Sequence, residues 1–378
     1  MKKIFKKIIL TPLVLIDFFI KKDSKLVVFS NRGGKESWQG NNAFMFHYII
    51  SNEKEYKPYI LTDKVSMIHE NEVYYLSLKG IVILLKSKVA YFHHGPLDYG
   101  IPLLNKKRLN INLNHGIHFK KVGYTLDNYK RMLFETKNVI SYHVCSSDTD
   151  ALAACAYYQT KLSNIRVTGA PKNDAFFRSS CELPKGYQNE LQALERCIGG
   201  REAILYAPTW REVNQTYEFS NSELQSLRSW LKSNNSVMLF AIHPLIPDYE
   251  IPQGDCFIDA NAIVSDIQLA LRLTDILITD YSTIWIDYLL TEKPIIGFWY
   301  DLEQYTKDRG FIFDVRDTFP HEKIHEFNEL IPKLEQCMAK EFDVAKHAYL
   351  RRFFHKFEDG NNCKRIFQYT KNLLSSVK

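Results

Sequence analysis

The sequence predicts an α/β protein in two halves, each with a parallel sheet, and a cleft between them. Three observations predict it. Short β-branched or apolar runs that end at turn residues recur along the chain, and stretches of helical apolar spacing fill the gaps between them. The alternation is broken once, at Cys181–Gln188 (CELPKGYQ), which carries Pro and Gly. At 378 residues the chain also exceeds the usual size of a single domain.

The first strand is expected at Leu26–Ser30 (LVVFS), followed by the turn-forming NRGG. Helical spacing over Asn42–Ser51 comes next, then YKPYILTD as a strand and Gly80–Ser87 as a helix. VAYFHH and LNINLN read as strands, and Tyr142–Gln159 as one helix. After the junction the strands are AILYAP, VMLFAIHP, CFIDA, DILITD and PIIGFWY. Helices are expected near Ser222–Ser233 and over Ile263–Leu273 and Ile284–Leu290, with Ile324–Lys378 mostly helical. The expected division is residues 1–22 as an anchor, 23–185 as a first domain and 186–378 as a second.

The net charge of +6 fits a basic cleft or a surface resting on anionic lipid. Basic residues are not interleaved with aromatics in a recognition module, so nucleic-acid binding is not expected. Seven scattered cysteines without a CxxC pair support neither a zinc site nor a disulfide frame, and point to a reducing compartment. At the N-terminus Lys2, Lys3, Lys6 and Lys7 precede the apolar stretch Ile8–Ile20, closed by Lys21 and Lys22. A membrane span needs about 20 apolar residues. This stretch is shorter, holds Asp17 and is interrupted by Pro12. It reads as an interfacial anchor with its lysines on anionic headgroups, whose removal should leave turnover intact. The competing reading is a helix packed on the protein's own surface.

Ligands of open α/β sheets bind beyond the carboxyl ends of the strands. That rule selects Asn114-His115-Gly116, Pro208-Thr209-Trp210-Arg211, His243-Pro244 and Asp280-Tyr281-Ser282-Thr283. The last turn has two readings of equal weight. Ser282 or Thr283 could simply cap the helix that follows, or the helix start could hold a diphosphate, with Asp287 and Tyr288 one turn on. His115 and His243 suit proton transfer and phosphate contact near neutral pH, although a lone histidine is more often structural. Arg211 can grip phosphate with two prongs, and Lys120–Lys121 are nearby cations. His93–His94 and His118 are weaker candidates. No acidic metal cluster is expected.

Taken together, these segments resemble the CDP-glycerol glycerophosphotransferases that build teichoic acids and related capsules. The resembling residues are NHGIHFKKVG (Asn114–Gly123), VTGAPKND (Val167–Asp174), APTWR (Ala207–Arg211), IHP (Ile242–Pro244), TDYSTIWIDY (Thr279–Tyr288), KPIIGFWYDLEQY (Lys293–Tyr305), RG (Arg309–Gly310) and EDG (Glu358–Gly360). The resemblance implies a GT-B-type fold of two Rossmann-like domains. It implies His115 as base and His243 as the second essential histidine. Thr209, Arg211, Asp280, Ser282, Thr283 and Asp287 then fall on the donor side, and Gly116 and Lys120 on the acceptor or phosphate side. Ile117 and His118 stand where the family pattern has Thr and Pro.

The implied reaction is attack of an acceptor hydroxyl on the β-phosphorus of CDP-glycerol or another CDP-linked polyol, with release of CMP. The acceptor would be a lipid-linked saccharide or a polyol-phosphate polymer. No cofactor is required by this reading, and Mg²⁺ is left open. The implied location is peripheral, on the cytoplasmic face of the bacterial membrane. The alternatives are a GT-B glycosyltransferase using a nucleotide sugar in capsule or lipopolysaccharide synthesis, and a catalytically dead scaffold.

Overall fold

The predicted apolar runs pair in parallel, and they do so in two separate sheets. The computed structural model describes residues 12–31, 39–63, 70–93, 95–100, 103–126, 141–211, 216–243, 246, 249–321 and 323–376. The lysines at positions 2, 3, 6 and 7, most of the NRGG turn, His94 and Pro244 lie outside them. The chain forms two compact units. One comprises Met1–Ile117, Gly123–Asp174 and Asp359–Lys378, and the other His118–Val122 and Ala175–Glu358.

The first unit holds a seven-stranded parallel sheet. Its strands are β1 (Asp23–Asn31), β2 (Lys57–Thr62), β3 (Glu72–Tyr74), β4 (Ser87–Phe92), β5 (Leu109–Asn112), β6 (Ser141–Cys145) and β7 (Ile165–Val167). Their order is β3-β2-β1-β4-β5-β6-β7, so the winding reverses between β1 and β4. Strands covered on both faces read as continuous apolar runs, as LVVFS does: Val27, Val28 and Phe29 are wholly buried. Helices at Gly40–Asn52 and Leu78–Lys86 cover the sheet, and Ile83 and Leu84 pack with Val28, Leu61, Ala90 and Phe92.

The second unit holds a six-stranded parallel sheet: β8 (Glu202–Ala207), β9 (Ser236–Phe240), β10 (Phe257–Asp259), β11 (Ile276–Thr279), β12 (Ile295–Phe298) and β13 (Lys323–Ile324). Its order is β10-β9-β8-β11-β12-β13, with the reversal between β8 and β11. Ile204, Tyr206, Phe240, Ile278, Ile296 and Phe298 form its core with Leu227, Trp230 and Leu231 of the helix Asn221–Ser233. Helices at Leu330–Met338 and Val344–Phe354 belong to this unit and Asn362–Ser376 to the first, and the three fill most of the C-terminal stretch.

Two expectations are corrected. Tyr142–Gln159 is not one helix but β6 followed by the helix Asp148–Tyr158. Ser147 ends the strand by capping: its hydroxyl accepts the Asp150 N–H. Ile263–Leu273 shortens to a helix over Ile267–Leu273, started by the Asp266 carboxylate accepting the Gln268 N–H. β3, β7 and β13 are two or three residues long, too short to show a period in the sequence.

The N-terminal helix, residues 12–19, packs one face on the first unit through Leu13 and Val14. Asp17 is buried there. Its carboxylate accepts from Arg108 Nη1 at 2.8 Å and Nη2 at 2.6 Å, and from Lys22 Nζ at 2.6 Å. Lys22 is thus turned inward onto Asp17 and the Leu85 carbonyl, rather than lying free for headgroups. The opposite face exposes Leu15, Ile16, Phe18 and Phe19, the last at 88%. No helix among the described residues is long and apolar enough to cross a membrane.

Candidate active site

At the reversal point of the second sheet, β8 and β11 end in register at Ala207 and Thr279, and the Thr279 hydroxyl donates to the Ala207 carbonyl at 2.7 Å. The turns that follow, Pro208–Arg211 and Asp280–Thr283, are joined by one carboxylate. Asp280 Oδ1 accepts the Thr209 N–H at 2.8 Å, the Thr209 hydroxyl at 2.5 Å and the Ser282 N–H at 3.3 Å. Asp280 Oδ2 accepts Arg211 Nη1 at 2.6 Å. The Arg211 fork that could have gripped phosphate is taken by Asp301: Nε and Nη2 each donate to its carboxylate at 2.8 Å. A buried guanidinium requires this, because an uncompensated charge is expensive away from water.

Aromatic rings complete the cluster. The Arg211 guanidinium lies 4.9 Å from the Tyr300 ring, 5.4 Å from Tyr281 and 5.7 Å from Tyr305. Tyr281 and Tyr305 stack at 4.3 Å. Lys120 reaches one of these rings, 5.3 Å from Tyr305, with its backbone bridged to Phe311. Burial lowers the Lys120 ammonium to about 8, with Asp280 opposing and Arg309 and Arg211 reinforcing the shift. Burial also pushes the Tyr281, Tyr300 and Tyr305 phenols upward, so all three remain neutral.

Thr283 starts the helix Ile284–Tyr288 without a side-chain cap, which weakens the plain capping reading of this turn. Asp287 is buried and accepts from Gln268 Nε2 at 3.3 Å, and Tyr288 donates its hydroxyl to the Thr274 carbonyl. His243 follows β9, half-buried, with its ring 6.5 Å from Trp210. Thr209, Arg211, Asp280, Ser282 and Lys120 therefore meet in one cluster, while Asp287 lies in the adjoining core.

His115 and Gly116 belong to the first unit, just beyond β5. His115 is exposed on a tightly held loop. Asn114 takes the left-handed conformation at φ 55°, which Asn tolerates. Its amide donates to the Val144 carbonyl at 2.8 Å, and its oxygen accepts from the Tyr158 hydroxyl at 2.9 Å. From the first turn of the helix Gly40–Asn52, Asn41 Nδ2 donates to the Asn114 carbonyl at 2.7 Å. His93, at the end of β4, lies 6.0 Å from His115 ring to ring.

Asp301, Tyr300, Tyr305 and Asn41 are residues that the strand-end reading did not single out, and His93 is one that it ranked low. The strand-end rule would have reached Asp301 had it been applied to PIIGFWY, and His93 had VAYFHH been weighed equally. VTGAPKND has a different task. Asp174 accepts the Asn362 and Cys363 N–H groups at 2.8 and 3.0 Å, capping the helix Asn362–Ser376. Gly169, at φ +83°, leaves no room for a Cβ, which would fall 2.0 Å from Asn362 Oδ1.

Comparison with known proteins identifies the family and the fold. The chain is 26% identical over 381 aligned residues to the teichoic acid ribitol-phosphate polymerase TarL of Staphylococcus aureus (strain NCTC 8325 / PS 47), covering 95% of this chain and 64% of that protein. The chain thus spans about two thirds of that relative's length. It is 28% identical to the teichoic acid glycerol-phosphate primase of Bacillus subtilis (strain 168), over 94% of both chains. The solved structure of the wall teichoic acid polymerase TagF superposes with a TM-score of 0.81 at 19% identity, covering 98% of this chain and 96% of that one, which shows a shared fold. The model of the CDP-Glycerol:Poly(glycerophosphate) glycerophosphotransferase family matches residues 13–371, and the chain belongs to that family.

Proposed function

We propose that this protein is a transferase that moves glycerol phosphate, or another polyol phosphate, from a CDP-linked donor to a hydroxyl of a cell-surface polymer or its lipid-linked precursor, releasing CMP. The observation that carries the reading is the family match over residues 13–371; beside it, the segments Asn114–Gly123, Pro208–Arg211 and Asp280–Tyr288 follow β5, β8 and β11. In this reading the fold is GT-B-type, with a cleft between a first domain reaching to about residue 185 and a second from residue 186, and with the chemistry divided between them.

His115 takes the proton of the attacking hydroxyl, and His243 contacts the phosphate oxygens. Ser282 and Thr283 hold the diphosphate, and Lys120 offsets its charge from the rim of the tyrosine cluster. Thr209, Arg211 and Asp280 act by fixing the turn. Asp287 supports the same turn from the core. Gly116 keeps the His115 loop close to the acceptor. Phosphoryl transfer of this kind depends on positioning and charge neutralisation more than on covalent chemistry. With Asp280 and Asp301 both engaged by Arg211, Lys120 and the turn supply that neutralisation, and Mg²⁺ is a matter for assay.

The exposed Leu15, Ile16, Phe18 and Phe19, next to the basic N-terminal segment, support a peripheral position on an anionic membrane, at its cytoplasmic face. The test is incubation with CDP-glycerol, CDP-ribitol, a nucleotide sugar and lipid-linked acceptors, with CMP and product mass measured. CMP release that His115→Ala and His243→Ala abolish is expected. Turnover of the nucleotide sugar alone would overturn the reading.

A further inference from the structure

We infer that His93 is a positioning residue for His115, and that the first turn of the helix Gly40–Asn52 is the jig that aligns both rings. The inference rests on the proposed role of His115 as base, but its observations are independent of any substrate.

His93 Nε2 accepts the backbone N–H of Asn42 at 2.9 Å. A nitrogen that receives an N–H cannot also carry a proton, so this contact selects the neutral tautomer with hydrogen on Nδ1. Gln39, the residue before the helix, makes no side-chain cap. The imidazole of His93 therefore does the capping from another strand, and the positive end of the helix further disfavours a charged ring there.

The neighbouring residue of the same turn holds the other histidine's loop. Asn41 Nδ2 donates to the carbonyls of Leu113 and Asn114 at 3.0 and 2.7 Å, and Asn41 Oδ1 accepts the Lys172 N–H at 3.1 Å. One helical turn thus fixes His93 through Asn42 and the backbone before His115 through Asn41. β4 is the strand where the winding of the sheet reverses, the place such sheets reserve for function. The Asp98 carboxylate accepts the His93 backbone N–H at 3.2 Å and so also holds the strand end.

The tilted His93 ring, 6.0 Å from that of His115, then limits how His115 can turn. A base needs this restriction to meet an acceptor hydroxyl in line, and a neutral neighbour leaves it free to take up a proton. A cationic neighbour would oppose that uptake.

The test separates ring from acceptor. His93→Gln keeps an oxygen near the Nε2 position, so the helix stays capped while the ring contact is lost. His93→Phe keeps the ring and strands the Asn42 N–H. In the full-length protein, long-range ¹H–¹⁵N spectra of the histidines at neutral pH should show His93 in its Nδ1–H tautomer. They should also show the His115 titration midpoint displaced by about half a pH unit or more in His93→Gln. With a CDP-polyol donor, His93→Gln should lower kcat about tenfold and leave the donor KM unchanged. A His115 midpoint and tautomer identical in wild type and His93→Gln would overturn the inference. Wild-type protein that releases no CMP would sink the functional reading instead, and the titration of His115 would still decide the role of His93.

Discussion

The Asp17–Arg108 pair offers a sharp test of how the N-terminal helix is held. Both side chains are almost wholly buried, at 4% and 0% exposure. In Asp17→Ala, Arg108 would keep the Leu84 carbonyl at 2.7 Å and the Ser87 carbonyl and hydroxyl at 3.2 Å. It would lose both charge-assisted bonds, and Lys22 would become a second cation in the same pocket. Burial and Arg108 already lower the Lys22 ammonium, with Asp17 opposing them. Removing one partner of a buried pair costs about 3–5 kcal/mol, a large share of the roughly 5–15 kcal/mol that holds a domain together. In a unit of this size that is a fall in Tm of about 10 °C, measurable by calorimetry and by urea titration. Replacing all three charged groups, Asp17→Leu with Arg108→Met and Lys22→Met, should recover most of the loss, because no buried charge is then left unpaired. Deletion of residues 1–22 carries the same penalty, so it should impair folding and turnover together, contrary to the expectation of a dispensable anchor. A loss below about 0.5 kcal/mol in Asp17→Ala, or single-variant losses that simply add up in the triple variant, would refute the reasoning.

Three further outcomes follow from the same physical picture. Lys120, lowered to about 8 by burial, loses its charge as pH rises through that value. CMP release should therefore decline above about pH 8, and Lys120→Arg should remove that decline; a wild-type rate that is flat to about pH 9.5 would contradict it. His321 and His347 stack at 5.5 Å, and burial lowers both, His321 to about 3. Their folded values lie below the unfolded one near 6.5, so stability is retained above that pH and lost as pH falls from there toward about 3. At pH 5 His321 alone should cost about 2 kcal/mol, and His321→Phe should flatten the acid side of the stability curve. Asp174→Ala uncaps the helix Asn362–Ser376 and should cost about 1–2 kcal/mol, read as faster amide exchange in that helix; unchanged protection would show the cap to be idle.

The strands were legible because parallel strands covered on both faces must be apolar along their whole length. LVVFS, AILYA and DILIT could be read that way without any partner in view. The turns at strand ends were legible for a related reason: the position is dictated by the sheet, and Asn, His, Asp and Ser stand out there against the apolar run before them. Tyr142–Gln159 was misread because its strand and helix are joined within a few residues, and only pairing with β5 and β7 separates them.

What the sequence by itself determined is the α/β alternation, the family resemblance and the short set of polar residues at strand ends. Tertiary structure decided what those residues do to one another. Arg211 is a cation in either view, but only the fold brings Asp280 and Asp301 onto it and turns a presumed phosphate grip into the core of a turn. Asp17 looks like a flaw in an apolar helix until Arg108, 91 residues away, closes on it. His93 looks like a spare histidine until the Asn42 N–H fills its Nε2. A local pattern can specify which residues are polar and where a strand ends. Which charge meets which is a long-range matter of low-dielectric pairing, and no spacing along the chain encodes it.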